Sequence, residues 1–370
     1  MTTALTRRGF TQLLGFGAAS AALRPALALS ATLPAAPETA ASGVVRLSSN
    51  ENPYGPSQAA FEAMRKAFSL SWRYPDEAAD ALVADLAKLH GVSDDHILLG
   101  AGSSEILKLC ASAHTGPGRA AVMAEPTFEA LARYTRAVGG EVVKVPLTSE
   151  HRHDLGRMLP AGAGLVYLCN PNNPTASLTP AADVRAFLAR VPAGTAVLAD
   201  EAYAHYVESA EWESVIPRIA DLPGLIVART FSKVYGMAGL RCGYAIAQPA
   251  TIEKLREHQA FDSLNVLALA AARASLGDAG HVETSRRRNH ETRAFVRGAL
   301  ESMGHPPIPS ETNFLMADLK RDVGPVIAAL KQRGVEVGRR FPAMPTHLRV
   351  TVGTRPQMEA FVAALKTVLA

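Results

Sequence analysis

The segment RTFSKVYGMAGLRCGY, residues 229–244, sets a single lysine, Lys233, among small and apolar side chains. Thr230 and Ser232 precede it and Arg241 follows eight positions later. A lysine in an apolar setting has its amine pKa lowered and becomes nucleophilic enough to form a Schiff base with an aldehyde. The two hydroxyls and the guanidinium beside it are phosphate-binding groups. Three further stretches stand at the ends of apolar, strand-like runs, where open α/β sheets place their ligands. In GAGSSEILKL (100–109), Ser103 and Ser104 open a helix whose free N–H groups and dipole favour an anion. The same serines also suit a plain helix cap. CNPNNPTA (169–176) turns the chain sharply, either as a simple turn or to aim an Asn amide into a cleft. ADEAYAHY (199–206) carries an acid pair, Asp200 and Glu201, that ends the strand-like run TAVLAD, with Tyr203 three residues after Asp200. A carboxylate buried there is costly unless it meets a cation or a protonated ring nitrogen, which makes Asp200 a functional candidate. Phosphate cradle, acidic strand end, Schiff-base lysine and arginine together describe one ligand: an aldehyde bearing a phosphate and a basic ring nitrogen. Pyridoxal phosphate has those parts.

The elements that must hold these residues are short apolar runs alternating with helical segments. The runs are HILLGAG (96–102), AAVMAE (120–125), EVVKVPL (141–147), GLVYLCN (164–170), TAVLAD (195–200), LIVART (225–230) and CGYAIA (242–247). Strands buried on both faces read in this way, so an α/β fold follows, with one mostly parallel sheet of about seven strands and helices on both sides. Segments 104–113, 127–138 and 180–190 read as helices, the last with Pro180 at its start. The C-terminal third mixes helices near 282–303, 323–333 and 356–369 with strands in 312–319, 334–340 and 347–354, the pattern of a smaller α+β lobe. The expected division is an export signal (1–30), a linker (31–43), an N-terminal segment joining the small domain (44–70), a large cofactor-binding domain (71–272) and a small C-terminal domain (273–370).

Composition limits the function classes. With 370 residues, 48% hydrophobic and 19% charged, the chain has the make-up of a globular enzyme with room for a large core. A net charge of +4, with no basic run interleaved with aromatics, argues against nucleic-acid binding. Arg7 and Arg8, an apolar stretch Leu13–Leu23 and the small residues ALA at 26–28 follow the order of an export signal. The paired arginines resemble the twin-arginine type, although Thr11 and Gln12 depart from it; the expectation is a periplasmic protein, with a cytoplasmic one as the alternative. Eleven apolar residues fall short of the roughly 18–20 needed for a stable membrane span. Cys110, Cys169 and Cys242 are odd in number and set in apolar or motif segments, so they read as small buried residues and not as a disulfide framework. His151 and His153 flank Arg152 in what reads as a solvated polar loop, and no metal site is expected. Arg286, Arg287 and Arg288 read as an exposed helix face.

The chain resembles the class I/II, fold type I aminotransferases, and most closely their histidinol-phosphate branch. The resemblance rests on SSNENPYGPS (48–57), RYPD (73–76), GAGSSEIL (100–107), PTFEAL (126–131), LCNPNNPTA (168–176), DEAY (200–203), RTFSKVYGMAGLRCGY and LRVTVGT (348–354), in the family's order across residues 45–365. It implies that Lys233 carries the cofactor and acts as the acid/base, and that Asp200 pairs with the pyridine nitrogen. Tyr203 and Asn173 would bond the ring's phenolic oxygen, and Phe128 would stack on the ring. Ser103, Ser104, Thr230, Ser232 and Arg241 would hold the phosphate. Tyr54 would reach the neighbouring subunit's site, implying a homodimer, and Arg349 would clamp a substrate carboxylate or phosphate. Two positions depart from the family pattern: Ala176 replaces the usual glycine after NPT, and Gly338, followed by Arg339 and Arg340, stands where the histidinol-phosphate branch carries a second anion-binding arginine. The function expected is transfer of an amino group between an amino acid, or histidinol phosphate, and a 2-oxo acid. The alternatives are a decarboxylase of the threonine-phosphate type and a non-catalytic binding protein on the same fold.

Overall fold

The computed structural model of the chain describes residues 43–159 and 162–370. The export-signal and linker expectations fall, apart from Gly43, outside these residues. Strand β1 (Val45–Leu47) and helix α1 (Gln58–Ala67) lead into α2 (Asp76–His90) and β2 (Ile97–Gly100). Next come α3 (Ser103–His114), β3 (Ala120–Glu125), α4 (Ala130–Ala137), β4 (Val142–Pro146), β5 (Ala163–Cys169), α5 (Ala181–Leu188), β6 (Ala196–Asp200), β7 (Leu225–Thr230) and β8 (Gly243–Ile246). Strands β2 to β8 are the seven apolar runs, and they form one seven-stranded sheet in the order β2-β8-β7-β6-β5-β3-β4. All neighbours from β7 to β4 are parallel, while β8 runs antiparallel to both β7 and β2.

Every residue of β5, β6 and β7 is buried, because helices cover both faces. Side chains alternate between the faces with a period of two. Val166, Leu168, Val197 and Val227 enter one apolar layer with Leu82 and Leu86 of α2 and Phe187 of α5. Leu165, Tyr167, Cys169, Leu198 and Ile226 enter the other, with Ile106, Leu109 and Cys110 of α3. The three cysteines are buried and free, as their apolar settings suggest.

Beyond the sheet, α6 (Pro249–Arg256), α7 (Val266–Leu276) and the long α8 (Ala279–Ser302) lead to β9 (Phe314–Asp318), α9 (Val323–Gln332), β10 (Val335–Val337), β11 (His347–Thr351) and α10 (Arg355–Leu369). β9 and β11 pair antiparallel, and β10 pairs in parallel with β1 from the far end of the chain. A separate apolar cluster, including Leu47, Val296, Leu330, Leu348 and Phe361, fills this part. The N-terminal segment divides: β1 joins β10, whereas α1 packs its Ala60 face on α7 in the core of the large sheet. One loop differs from expectation. His153 is only 5% exposed, its backbone N–H and Nδ1 both meeting Thr179 Oγ1, so the loop folds this side chain in instead of solvating it. Among the described residues no helix is long and apolar enough to cross a membrane.

Candidate active site

A cavity of about 290 Å³ opens where β5, β6 and β7 end. Ser103, Ser104, Phe128, Asn173, Asp200, Tyr203, Thr230, Ser232, Lys233, Arg241 and Arg349 all line it. These are eleven of the twelve residues the sequence singles out; Tyr54 is the exception. Its ring is half-buried under the Arg288 guanidinium, 4.6 Å away, outside the cavity of its own chain.

Lys233 follows β7 on a loop whose Ser232 N–H is held by Thr230 Oγ1 at 3.1 Å. Its Nζ points into the cavity and donates to the Asn50 carbonyl at 3.1 Å. Burial, helped by the Arg349 charge, pushes the amine from the ordinary 10.5 down to about 8, against the opposing pull of Glu51 and Asp200. Asp200 ends β6 and is 3% exposed. Its Oδ2 accepts the Tyr167 hydroxyl at 2.8 Å and its Oδ1 the Ala202 N–H at 3.1 Å. Burial raises this carboxyl above its ordinary value, and those two hydrogen bonds work against the rise. The Tyr203 hydroxyl accepts Asn50 Nδ2 at 3.0 Å and Asn173 Nδ2 at 3.4 Å. Arg349, on β11, donates from Nη1 to Asn173 Oδ1 and from Nη2 to the Ser48 carbonyl, both at 2.7 Å. Its buried Nε has no partner among the described residues.

The opposite end of the cavity is built around the start of α3. Gly102, not a serine, is the cap residue, and no side chain caps this end. The plain-cap reading of Ser103 and Ser104 therefore gives way: both lie in the first turn, at the positive end of the helix dipole, and both line the cavity. Gly102 has φ of +78°, and a Cβ there would lie 2.2 Å from Arg241 Nη2, so only glycine lets the guanidinium approach. Arg241 itself adopts φ of 61°, a conformation rare for a non-glycine residue, and donates to the Ala238 carbonyl at 2.8 Å. Close approach recurs at Gly243, where a Cβ would meet the Ser103 nitrogen at 2.5 Å. The arrangement is a small, positively polarised cradle sized for a compact anion.

Behind the cavity a buried ion pair joins the strands that carry it. Arg229, the residue before Thr230, donates Nε and Nη2 to Glu201 Oε2 at 2.9 and 2.6 Å, and Glu201 directly follows Asp200. Ser214 and the Val215 N–H complete the carboxylate's partners. In front, Phe128, Asn173 and Arg349 form a wall shared with a wider cavity of about 590 Å³ that also includes Arg339 and Phe341. The loop after Asn173 keeps Ala176 at φ of 64°, so the alanine holds a left-handed conformation that costs an L residue about 1–2 kcal/mol.

Residues 42–365 match the model of a family described as aminotransferase class I and II. The chain belongs to this family. It is 40% identical over 333 residues to the histidinol-phosphate aminotransferase of Moorella thermoacetica, covering 88% of this chain and 86% of that one. The corresponding protein of Symbiobacterium thermophilum is 41% identical over 330 residues, covering 88% and 91%. The crystal structure of histidinol-phosphate aminotransferase from Sinorhizobium meliloti in complex with pyridoxal-5'-phosphate has the same fold, with a TM-score of 0.82 at 29% identity over 88% of this chain and 91% of that one. The protein is thus a pyridoxal-phosphate-dependent transaminase of fold type I. The residues present fit the cofactor on their own geometry: an uncapped helix start with a glycine-made cradle at one end, a buried carboxylate with room before it, and a lysine of depressed pKa between them.

Sequence reasoning did not reach Asn50, Tyr167 or the Glu201–Arg229 pair. Asn50 was within a quoted motif, yet its contacts depend on β1 pairing with β10 and on Asn313, whose Nδ2 holds the Asn50 carbonyl at 3.0 Å. A signal for Tyr167 does exist: it is the one polar-tipped residue in the run GLVYLC, on the same strand face as Cys169 beside Asp200.

Proposed function

We propose that the enzyme moves an amino group reversibly between an amino acid, or histidinol phosphate, and a 2-oxo acid. The observation that carries this reading is the convergence of Lys233, Asp200 and the Ser103–Arg241 cradle on one cavity, with Arg349 at its far wall. When bound, the cofactor supplies an electron sink for the pair left at the substrate's Cα. Ser103, Ser104, Thr230, Ser232 and Arg241 would hold its phosphate, Asp200 would pair with its ring nitrogen, and Tyr203 with Asn173 would bond its phenolic oxygen. Phe128 would stack on the ring. Lys233 would hold the cofactor's aldehyde end, and its Nζ, as a neutral amine, would take the proton from the substrate's Cα and return it. Arg349, already fixed by Asn173 and Ser48, receives the substrate's anionic group.

The similarity to histidinol-phosphate aminotransferases makes histidinol phosphate the first donor to try, and favours amino transfer over loss of carbon dioxide. No side chain stands beside Arg349 at position 338: a Cβ there would lie 2.8 Å from the Arg349 carbonyl and 3.1 Å from its Nε. Arg339 turns instead to Glu129 and Arg340 to Asp322. A screen of donors including histidinol phosphate and aromatic amino acids, each with a 2-oxo acid acceptor, tests the proposal. Formation of the donor's carbonyl product (a ketone from histidinol phosphate, a 2-oxo acid from an amino acid) together with the amino acid of the acceptor, abolished in Lys233→Ala, supports it; carbon dioxide release without that carbonyl product overturns it, as does unchanged activity in Lys233→Ala.

The homodimer, with Tyr54 reaching the neighbouring site, is part of the same proposal. Its support is an exposed aromatic stretch in which Trp72 is 76% and Tyr74 79% exposed, with Phe68 nearby in sequence, a surface that marks an interaction site. Light scattering that returns a monomer at micromolar concentration sinks it. Export by the twin-arginine-type leader is likewise proposed, on the order of residues 6–28 alone. A reporter fused to residues 1–30 that stays cytoplasmic with Arg7 and Arg8 intact ends that reading.

A further inference from the structure

Tyr167 is wholly buried in the apolar layer beneath α3, among Leu107, Leu165, Cys169 and Leu198. A phenol in such a place needs a partner for its O–H. The strand register pairs Tyr167 with Leu198 and Cys169 with Asp200, so the tyrosine leans one step along β6 on the same face and meets Asp200 Oδ2 at 2.8 Å. It does not line the cavity and stands behind the carboxylate. The other groups facing Asp200 are Lys233, which favours the ionised form, Glu201, which opposes it, and Cys169 and Tyr203, both held neutral by burial. The tyrosine is itself kept protonated by burial and by the adjacent carboxylate, and so remains a donor.

We propose that Tyr167 is a positioning residue for the reaction: its hydroxyl fixes the rotamer of Asp200 and keeps the carboxylate ionised toward the cofactor's ring nitrogen, without touching cofactor or substrate. The inference rests on the role given to Asp200 above. Without the hydroxyl, Oδ2 of this buried carboxylate loses the one donor it has among the described residues. A buried carboxylate then takes up a proton at higher pH or turns away. Either change weakens the grip on a protonated ring nitrogen. Because Asp200 acts as an anion, activity falls as pH drops through its pKa, and raising that pKa moves the fall to higher pH.

The test uses holoenzymes of Tyr167→Phe, Asp200→Asn and the double variant, with pyridoxal phosphate dissociation followed by the cofactor's own absorption. Phenylalanine keeps the ring and its packing, so the hydroxyl alone is removed. Expected is a loss of cofactor affinity of about tenfold or more in Tyr167→Phe, with the acid limb of the kcat/KM profile shifted upward. In the Asp200→Asn background the same change alters affinity by less than about twofold. A Tyr167→Phe protein equal to the native one, or an equal loss in both backgrounds, overturns the inference. Difference infrared spectra of the native holoenzyme against Asp200→Asn give a second reading that needs no tyrosine variant: a protonated Asp200 at neutral pH overturns the inference too. Cofactor affinity is read without turnover, so this result stands apart from whether any donor in the screen is transaminated.

Discussion

Lys233 and Arg349 are cations that the same cavity holds for different ends. Burial and the Arg349 charge lower the Lys233 amine to about 8, so near neutral pH a small fraction is the free base that attacks an aldehyde. The rate at which cofactor-free protein takes up pyridoxal phosphate is therefore expected to rise with pH and level off above about 8. Stopped-flow absorption from about pH 6 to about pH 9.5 checks this: an ordinary lysine of about 10.4 keeps gaining free base across that whole range, so a rate still climbing without a plateau at its upper end contradicts the expectation, as does a rate flat with pH. Arg349 remains charged throughout, and its two outer nitrogens are committed to Asn173 and Ser48, which fixes the plane of the guanidinium. Arg349→Lys keeps the charge but loses that fork, so KM for an anionic donor should rise about tenfold or more. Cofactor affinity should change little, which equilibrium titration measures alongside the kinetics.

At the scale of elements, β6 and β7 are fastened directly behind the chemistry by Glu201 and Arg229, each adjacent in sequence to a residue of the cavity. Both side chains are buried, so removing one partner leaves an unpaired buried charge. Glu201→Gln and Arg229→Met are each expected to lower unfolding free energy by about 3–5 kcal/mol, and the double variant by less than their sum. Denaturant titration of all three proteins decides it. These strands were legible in advance because parallel strands covered on both faces are continuous apolar runs, and each of the seven runs contains or overlaps a strand whose ends lie within two residues of its own. Helix α7, VLALAAARASL, is apolar nearly all round, so no 3.6-residue stripe marks it off. The reversal of β8 also left no sequence mark. Residues 231–242 return the chain to β8 beside the strand it left, without a crossover α-helix, so the two strands run antiparallel. Motif chemistry located the cavity residues for a related reason: most stand within a few residues of a strand end, where position along the chain predicts position in space. Asn50 and Tyr167 escaped because their roles come from pairings across the sheet or between distant segments.

Among the described residues, two parts of the chain meet at the cavity. The ends of β5, β6 and β7 and the start of α3 supply Asp200, Lys233 and the phosphate cradle, while the β1 segment and β11, tied to the other apolar cluster, supply Asn50 and Arg349. Lys233 Nζ on the Asn50 carbonyl, Asn50 Nδ2 on the Tyr203 hydroxyl and Arg349 on Asn173 are among the hydrogen bonds that cross between them inside the cavity. A ligand held by both sets binds the native state and has no site in the unfolded chain, so it must stabilise the fold by mass action, about 2.7 kcal/mol at a hundred times its dissociation constant. Thermal unfolding of the native protein should therefore shift upward with added pyridoxal phosphate, and continue to do so, by a smaller amount, in Lys233→Ala. That variant keeps the cradle and Asp200 but loses the covalent link. Arg241→Ala removes the guanidinium that Gly102 makes room for, and should abolish most of the remaining shift when combined with Lys233→Ala. If pyridoxal phosphate stabilises the double variant as well as it does Lys233→Ala, the phosphate is held elsewhere and the cradle at the start of α3 is not its site.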